Sequence, residues 1–438
     1  MRLRYTCHVI KILDGRDAST ESERQHGRAG TTSRGGRSRR AFLASAGTTA
    51  ALGVAGCLGS GGDTVKVGFA VAQSGAYTLL GESVINGFKL RVEEELDGQL
   101  GGRDVEFVSQ DTEGDPGTGS SIAQEFITRE EVDVIVGSIS GAVASAMRPV
   151  IEDHVDDLVW LCPVGIGWQW PMDTPTDDVS VSCTSTQFIT GDAYYQPSAP
   201  MADFAIENLG DSCVLAFADY SAGYQYGGLF RNRFEELGGD IAGEVPVPVG
   251  TEDYKPYLQN VDTSADFVFG MFAGSDAINF VKQFHETGLH EELDLSGVGF
   301  LAEADALGAQ GDAAVGTYSA LPYTPGKDTE RNQEFVEAYQ DVNDREPNVY
   351  ACTSYDAAQV ADTAIEEVGG TDANDIADVI PGIEVDSPRG YFEMTDSMPY
   401  HPVQDVDIRR VVATEGDAPP TNEVIDTIER VKAPFDCA

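Results

Sequence analysis

Two α/β lobes, each an open, mostly parallel sheet flanked by helices, are the fold class this sequence predicts. Three observations predict it. Short apolar runs alternate with helical patterns from residue 64, at intervals typical of parallel sheets. The alternation restarts after about residue 185, and 438 residues are too many for one compact core.

In the first unit the expected strands are 65–71, 105–110, 132–136 and 158–162. Helices are expected between them at about 82–96, 118–129 and 141–154, each with apolar residues at three- and four-residue spacing. In the second unit a helix near 191–209 precedes strands at 213–218, 241–249, 267–272 and 297–301. Helices at 223–237, 254–261 and 276–287 separate them. Two long helices, 329–343 and 353–368, follow, and 389–393 with 406–413 has the pattern of a terminal β-ribbon. Lobe one is expected from 64–187 plus about 315–385, lobe two from 188–314 plus about 386–415, and 416–438 as a C-terminal tail.

The chain carries 73 acidic against 28 basic side chains, a formal net charge of -45. From residue 41 onward 18 basic groups face 69 acids spread along every segment, and only six of the 18 are lysines. Such a surface repels phosphates, so nucleic-acid binding is excluded as a function class. It is the composition of a protein kept soluble in strong brine, where salt screens the repulsion within a Debye length.

Residues 1–40 are basic, and Arg39 and Arg40 precede an uncharged, mildly apolar run through Gly62. That is the layout of a cleaved twin-arginine export signal, expected over residues 1–56. The run is too polar to span a bilayer, which takes about 20 apolar residues. Val54-Ala55-Gly56-Cys57 has the form of a lipobox, making Cys57 the lipid-bearing first mature residue and 57–63 a flexible tether. The expected location is the outer face of the cell membrane. Of the seven cysteines, five remain after Cys7 and Cys57 are set aside. Their wide spacing matches no zinc pattern and permits at most two bridges, with the pairing open.

Enzyme signatures are missing: there is no G-x-S-x-G, no P-loop and no zincin helix. His285 and His290 stand five apart, off one helical face. No catalytic residue, metal or cofactor is expected. The informative segment is Gly137-Ser138-Ile139-Ser140-Gly141-Ala142-Val143, which joins an apolar strand to a helix and offers hydroxyls and free backbone N–H groups, a carboxylate-binding terminus or an ordinary serine cap.

In order along 64–413, several segments carry a family resemblance: Ser74-Gly75-Ala76 with Gly81, Asp111 before Asp115-Pro116, the Gly137-to-Val143 turn, Asp219-Tyr220 with Gly223, Asp253-Tyr254, Gly274-Ser275-Asp276-Ala277, Gly288-Leu289 and Tyr355-Asp356-Ala357. With these the chain resembles the solute-binding proteins of branched-chain amino-acid type ABC importers, with the type I periplasmic-binding fold. The resemblance implies a receptor that closes on a small polar ligand, an amino acid or related amide, and delivers it to an ABC permease. It places the ligand carboxylate on Ser140, with Ser138, Gly141 and Val143 in the same turn, and the ammonium on Asp276. Tyr77, Gly165, Trp168 and Tyr220 fall in loops that should border the cleft. The chain departs from the pattern at Pro163-Val164-Gly165-Ile166, where a threonine is usual, and at Ala222, where an aromatic is usual. It adds Trp168 and Trp170, so amides, urea-like solutes and aromatic acids stay open as ligands. A ligand sensor for a membrane signalling partner is the alternative role.

Overall fold

The computed structural model describes residues 64–164, 180–181, 183–416 and 418–437. The first sheet takes β1 (Thr64–Val71), β2 (Gln99–Leu100), β3 (Arg103–Asp111), β4 (Val134–Gly137), β5 (Val159–Cys162) and β7 (Gln187–Ile189), with β6 (Ser180–Val181) outside it. α1 (Thr78–Leu90), α2 (Pro116–Glu125) and α3 (Gly141–Glu152) connect the strands. β4 and β5, Val-Ile-Val-Gly and Val-Trp-Leu-Cys, are buried at every position. Helices on both faces of a parallel sheet demand such continuous apolar runs.

The chain then crosses into a second sheet. α4 (Tyr195–Asn208), β8 (Ser212–Ala218), α5 (Ser221–Glu236), β9 (Asp240–Val247), α6 (Lys255–Leu258), β10 (Phe267–Met271), α7 (Gly274–Glu286), β11 (Asp294–Val298), α8 (Ala304–Gln310) and β12 (Tyr318–Leu321) follow in order. A second crossing leads to α9 (Glu330–Asn343), α10 (Val349–Val368) and α11 (Ala373–Val379), of which α9 and α10 pack on α1. A third returns the chain to β13 (Phe392–Met394), β14 (Pro402–Val412) and β15 (Thr421–Val431) in the second sheet. β16 (Asp436–Cys437) ends the chain beside β6, where Cys437 is bridged to Cys183. Cys162, Cys213 and Cys352 are buried thiols.

Three boundaries differ from the sequence reading. β12 belongs to the second sheet, so the chain returns to lobe one after Leu321 rather than near 315. The segment expected as a tail contains β15, paired antiparallel with β14. The strand expected at 297–301 is β11, which ends at Val298 and turns into one 3-10 turn, Gly299–Ala302.

In both sheets the strand order reverses at a point that matters. β1 pairs with β3 on one side and β4 on the other, and β8 stands likewise between β9 and β10. Connections leaving these neighbours diverge, which opens a crevice at their carboxyl ends. The loops after β1, β4, β8 and β10 therefore face it.

A buried polar network ties the crossings. Arg389, fully buried, donates from Nε to Asp356 of α10 at 2.8 Å, from Nη1 to Gln404 of β14 at 2.6 Å and from Nη2 to the Thr190 carbonyl at 2.6 Å. Ser387 Oγ donates to the same Asp356 oxygen at 2.7 Å. At the second crossing Lys327 Nζ donates to Asp407 at 2.8 Å.

Candidate functional site

The loop after β4 forms the first wall. Gly137 has φ of 144°, and a Cβ there would stand 2.3 Å from the Ala70 carbonyl, so β1 and β4 approach too closely for any other residue. Trp160 Nε1 donates to the Gly137 carbonyl at 2.6 Å and fixes the turn from below. Ser138 Oγ donates to the Ser140 carbonyl at 2.7 Å and accepts the Ser140 N–H at 3.3 Å. Its hydroxyl is used up inside the turn. Ser140 stands at the N-cap of α3 in extended conformation, yet its hydroxyl makes no capping bond. The ordinary cap role is thus vacant, and hydroxyl and helix N-terminus are both available to an anion.

Tyr77 ends a 3-10 turn after β1, held near the sheet because α1 touches the strand end at Gly81, where a Cβ would meet the Ala72 carbonyl at 1.8 Å. The opposite wall comes from the loops after β8 and β10: Tyr220, Ala222 and Tyr226 around the start of α5, and Met271 and Ala273 beyond β10. Phe300, in the turn after β11, closes one end; Arg409 Nη2 holds that turn through the Gly299 carbonyl at 2.9 Å. Tyr194, in the first crossing, and Tyr350, in the first turn of α10, complete the enclosure.

The enclosed cleft holds about 480 Å³ of atom-free space, part of it open to solvent. Its walls are aromatic. Phe300 of lobe two stacks on Tyr350 of lobe one at 5.8 Å and 14°, and Tyr194 lies on Tyr226 at 4.0 Å. None of the described lining residues carries a charge. Behind the wall, Tyr226 Oη donates to Asp192 at 2.9 Å, and burial pushes that carboxyl up to about 6.

Asp276 sits at the edge. It is 7% exposed in the first turn of α7, and both its oxygens accept the Gly250 N–H at 3.1 Å. Burial raises its carboxyl pKa, against the pull of Gly250 and the Tyr254 hydroxyl. Tyr77 is raised by burial and then by Asp276, so a lobe-one phenol and a lobe-two carboxylate feel each other across the cleft. Tyr220 is raised well above its usual range by burial, then by Tyr77, Tyr194 and Asp276.

Of the residues singled out in the sequence, Tyr77, Ser140, Gly141 and Tyr220 line the cleft together. Ser138 lies beneath them. Val143 does not reach it: the side chain is fully buried, and Cγ1 lies 2.4 Å from where a Cβ on Gly119 of α2 would stand. One turn into α3, it faces the neighbouring helix. Gly165, Trp168, Cys57, Arg39 and Arg40 lie outside the described residues. Sequence reasoning missed Ile139, Val164, Tyr194, Tyr226, Phe300 and Tyr350. The sequence spacing puts His285 and His290 off one helical face; His285 lies in the last turn of α7 and His290 in the short turn after it, and their rings stack at 3.7 Å. Among the described residues no group of three potential ligands is placed to hold a metal, and no helix is long and apolar enough to cross a membrane.

Two α/β lobes with a cleft between the carboxyl ends of their strands define a protein that captures a small molecule by closing on it. The chain belongs to the periplasmic binding protein family, whose model matches residues 64–417. The Leu/Ile/Val-binding protein homolog 6 of Brucella melitensis is 27% identical over 378 residues, 84% of this chain and 92% of that protein. An ABC transporter substrate-binding protein from Sphaerobacter thermophilus superimposes with a TM-score of 0.76 at 30% identity, covering 84% of this chain and 99% of that one. A solute-binding protein of an ABC transporter from Rhodopseudomonas palustris BisB5, in complex with 3,4-dihydroxybenzoic acid, does so at 0.76 and 27%, covering 85% and 99%. Another from R. palustris, in complex with 4-hydroxybenzoate, scores 0.76 at 26%, covering 84% and 98%. The chain is accordingly a solute-binding receptor of that two-lobed fold, and the family and structures it resembles are binding proteins.

Proposed function

We propose that this receptor captures a small monocarboxylate with a flat, apolar body, of the benzoate class, and delivers it to an ABC permease without chemical change. The observation that carries the reading is the uncommitted Ser140 hydroxyl at the α3 N-terminus, facing a cleft with aromatic walls and no charged described lining. The hydroxyl and helix N–H groups suit a carboxylate; the rings suit a flat body. The R. palustris proteins in complex with hydroxybenzoates lend support. Because Ser140, Tyr77 and Tyr350 belong to one lobe and Tyr220, Tyr226 and Phe300 to the other, a ligand touches both sets only when the lobes are closed. That differential affinity drives closure, and the permease would read the closed form.

An amino acid is the second reading, favoured by Asp276 at the cleft edge, where an ammonium would displace the Gly250 N–H as partner. Thermal unfolding of the full chain in molar NaCl, with benzoate, 4-hydroxybenzoate, leucine or butyramide added, separates the two. A ligand at 100 times its dissociation constant adds about 2.7 kcal/mol. A raised midpoint with the benzoates alone is expected. A rise with leucine alone transfers the assignment to the amino-acid reading, and no rise with any of the four removes both.

We infer further that the receptor is exported by the twin-arginine route through Arg39 and Arg40 and held on the outer membrane face by a lipid on Cys57. The order of arginine pair, uncharged run and Val54-Ala55-Gly56-Cys57 supports this. Cys57→Ser is expected to move the protein from the membrane fraction into the medium; retention would refute the anchor.

A further inference from the structure

The tyrosines around the cleft fall into two kinds. Tyr226 commits its hydroxyl proton to Asp192 at 2.9 Å, and Tyr224, just outside the lining, commits its own to Asp219 at 2.8 Å. Tyr77, Tyr220 and Tyr350 also line the cleft, yet their hydroxyls make no hydrogen bond among the described residues, and none of the three oxygens is sealed from solvent. We propose that the ligand carries a ring hydroxyl read by these three phenols, so that the receptor selects hydroxybenzoates over benzoate; the proposal rests on the benzoate-class reading above.

An unpaired but reachable hydroxyl in a cleft wall discriminates between ligands. A bare ring laid over it takes it out of water with no partner, whereas a polar group on the ring meets it. A site built to bond a ligand hydroxyl therefore rejects the analogue that lacks one.

The fold brings the three phenols together. Tyr220 stands at the N-cap of α5 without a side-chain capping bond. Tyr350, in the first turn of α10, has its ring plane set by the stack on Phe300 at 5.8 Å and 14°. Burial raises the Tyr220 pKa well above its usual range, and Tyr77 is the first neighbour to raise it further; burial raises Tyr350 likewise, with Tyr220 its first neighbour. Tyr220 of lobe two thus stands near phenols of lobe one at both Tyr77 and Tyr350, and all three stay protonated at neutral pH.

The surroundings decide the chemistry of the group they meet. Asp276 is close enough to raise both Tyr77 and Tyr220, and it disfavours a second carboxylate there. Protonated phenols each offer a donor and an acceptor, and a hydroxyl is the smallest neutral group that answers both. A ring hydroxyl touching Tyr220 and either lobe-one phenol bridges the lobes and adds to the affinity gained on closure.

The test is calorimetric titration of benzoate, 3-hydroxybenzoate, 4-hydroxybenzoate, 4-aminobenzoate and 4-methylbenzoate into the full chain in molar NaCl. One of the two hydroxybenzoates is expected to bind about tenfold or more tightly than benzoate. Tyr220→Phe and Tyr350→Phe are each expected to cut that ratio about threefold or more. The ratio is the readout, because either change can also alter absolute affinity. Benzoate binding as tightly as both hydroxybenzoates overturns the ring hydroxyl and leaves the benzoate-class reading standing, whereas no binding by any of the five overturns that reading and the proposal with it. A 4-methylbenzoate as tight as 4-hydroxybenzoate would trace the preference to filled volume, and a 4-aminobenzoate tighter than both hydroxybenzoates would trace it to a donor alone; either result overturns the assignment. So does a ratio that neither substitution moves.

Discussion

Replacing Arg389 by methionine is expected to lower the free energy of unfolding by about 3–5 kcal/mol. The change strands Asp356, whose carboxylate lies fully buried with Arg389 Nε at 2.8 Å and only Ser387 as a further donor to that oxygen. It also leaves the Gln404 amide oxygen and the Thr190 carbonyl without their guanidinium donors. Burial already raises the Asp356 pKa, chiefly against the pull of Arg389. Without the arginine the carboxyl rises further. A folded-state pKa above the unfolded value costs stability once pH exceeds the unfolded value, so the deficit relative to wild type should shrink as pH falls. Denaturant midpoints at two pH values measure this. Arg389→Met with Asp356→Leu should regain most of the loss, because removing both charges takes away the stranded one. An unchanged midpoint in the single variant would show that the crossings are held by something other than this pair.

Ser140→Ala is expected to weaken benzoate binding by about 2 kcal/mol, roughly 30-fold in dissociation constant, the worth of one charge-assisted hydrogen bond. Because the Ser140 hydroxyl caps nothing in α3, the unliganded variant should unfold at the wild-type temperature. That pairing of outcomes separates ligand contact from helix capping. A lower unliganded midpoint with unchanged affinity would return Ser140 to the ordinary role of a cap. Calorimetry and thermal unfolding on the same sample decide it.

The parts of the fold legible in the sequence are those where one physical demand dominates. Strands β1, β4, β5, β8 and β10 are buried on both faces, so their apolar runs stand out even in so acidic a chain. β15 escaped because it pairs on one side only with β14, and its sequence, Thr-Asn-Glu-Val-Ile-Asp-Thr-Ile-Glu-Arg-Val, is largely exposed. β12 is four residues long, and its partner β14 lies some 90 residues away, beyond what local pattern can register. For α10 a signal was present: Asn348 accepts the Ala351 N–H at 3.1 Å as an N-cap, placing the helix start at Val349 and Tyr350 in its first turn.

The candidate site divides along the same line. Ser140 and Tyr220 follow strand ends, where a sheet of this kind puts its ligand contacts. Tyr194 and Tyr350 reach the cleft only because the crossings bring them there, which is a property of tertiary structure. Phe300 lay within a glycine-flanked segment, Gly299-Phe300-Leu301, that reads as strand interior until Arg409 is seen pinning the turn.

The bridge joins Cys183 to Cys437 across a sequence separation of 254, and all of α4 through β15 falls inside that span. The second sheet is therefore carried on a covalently closed ring whose two ends are fastened together. A protease that nicks any surface turn within the ring leaves both fragments on one molecule. Such a nicked receptor would migrate as a single species until a reductant is added, so secreted proteases outside the cell could cut it without shedding half of the cleft.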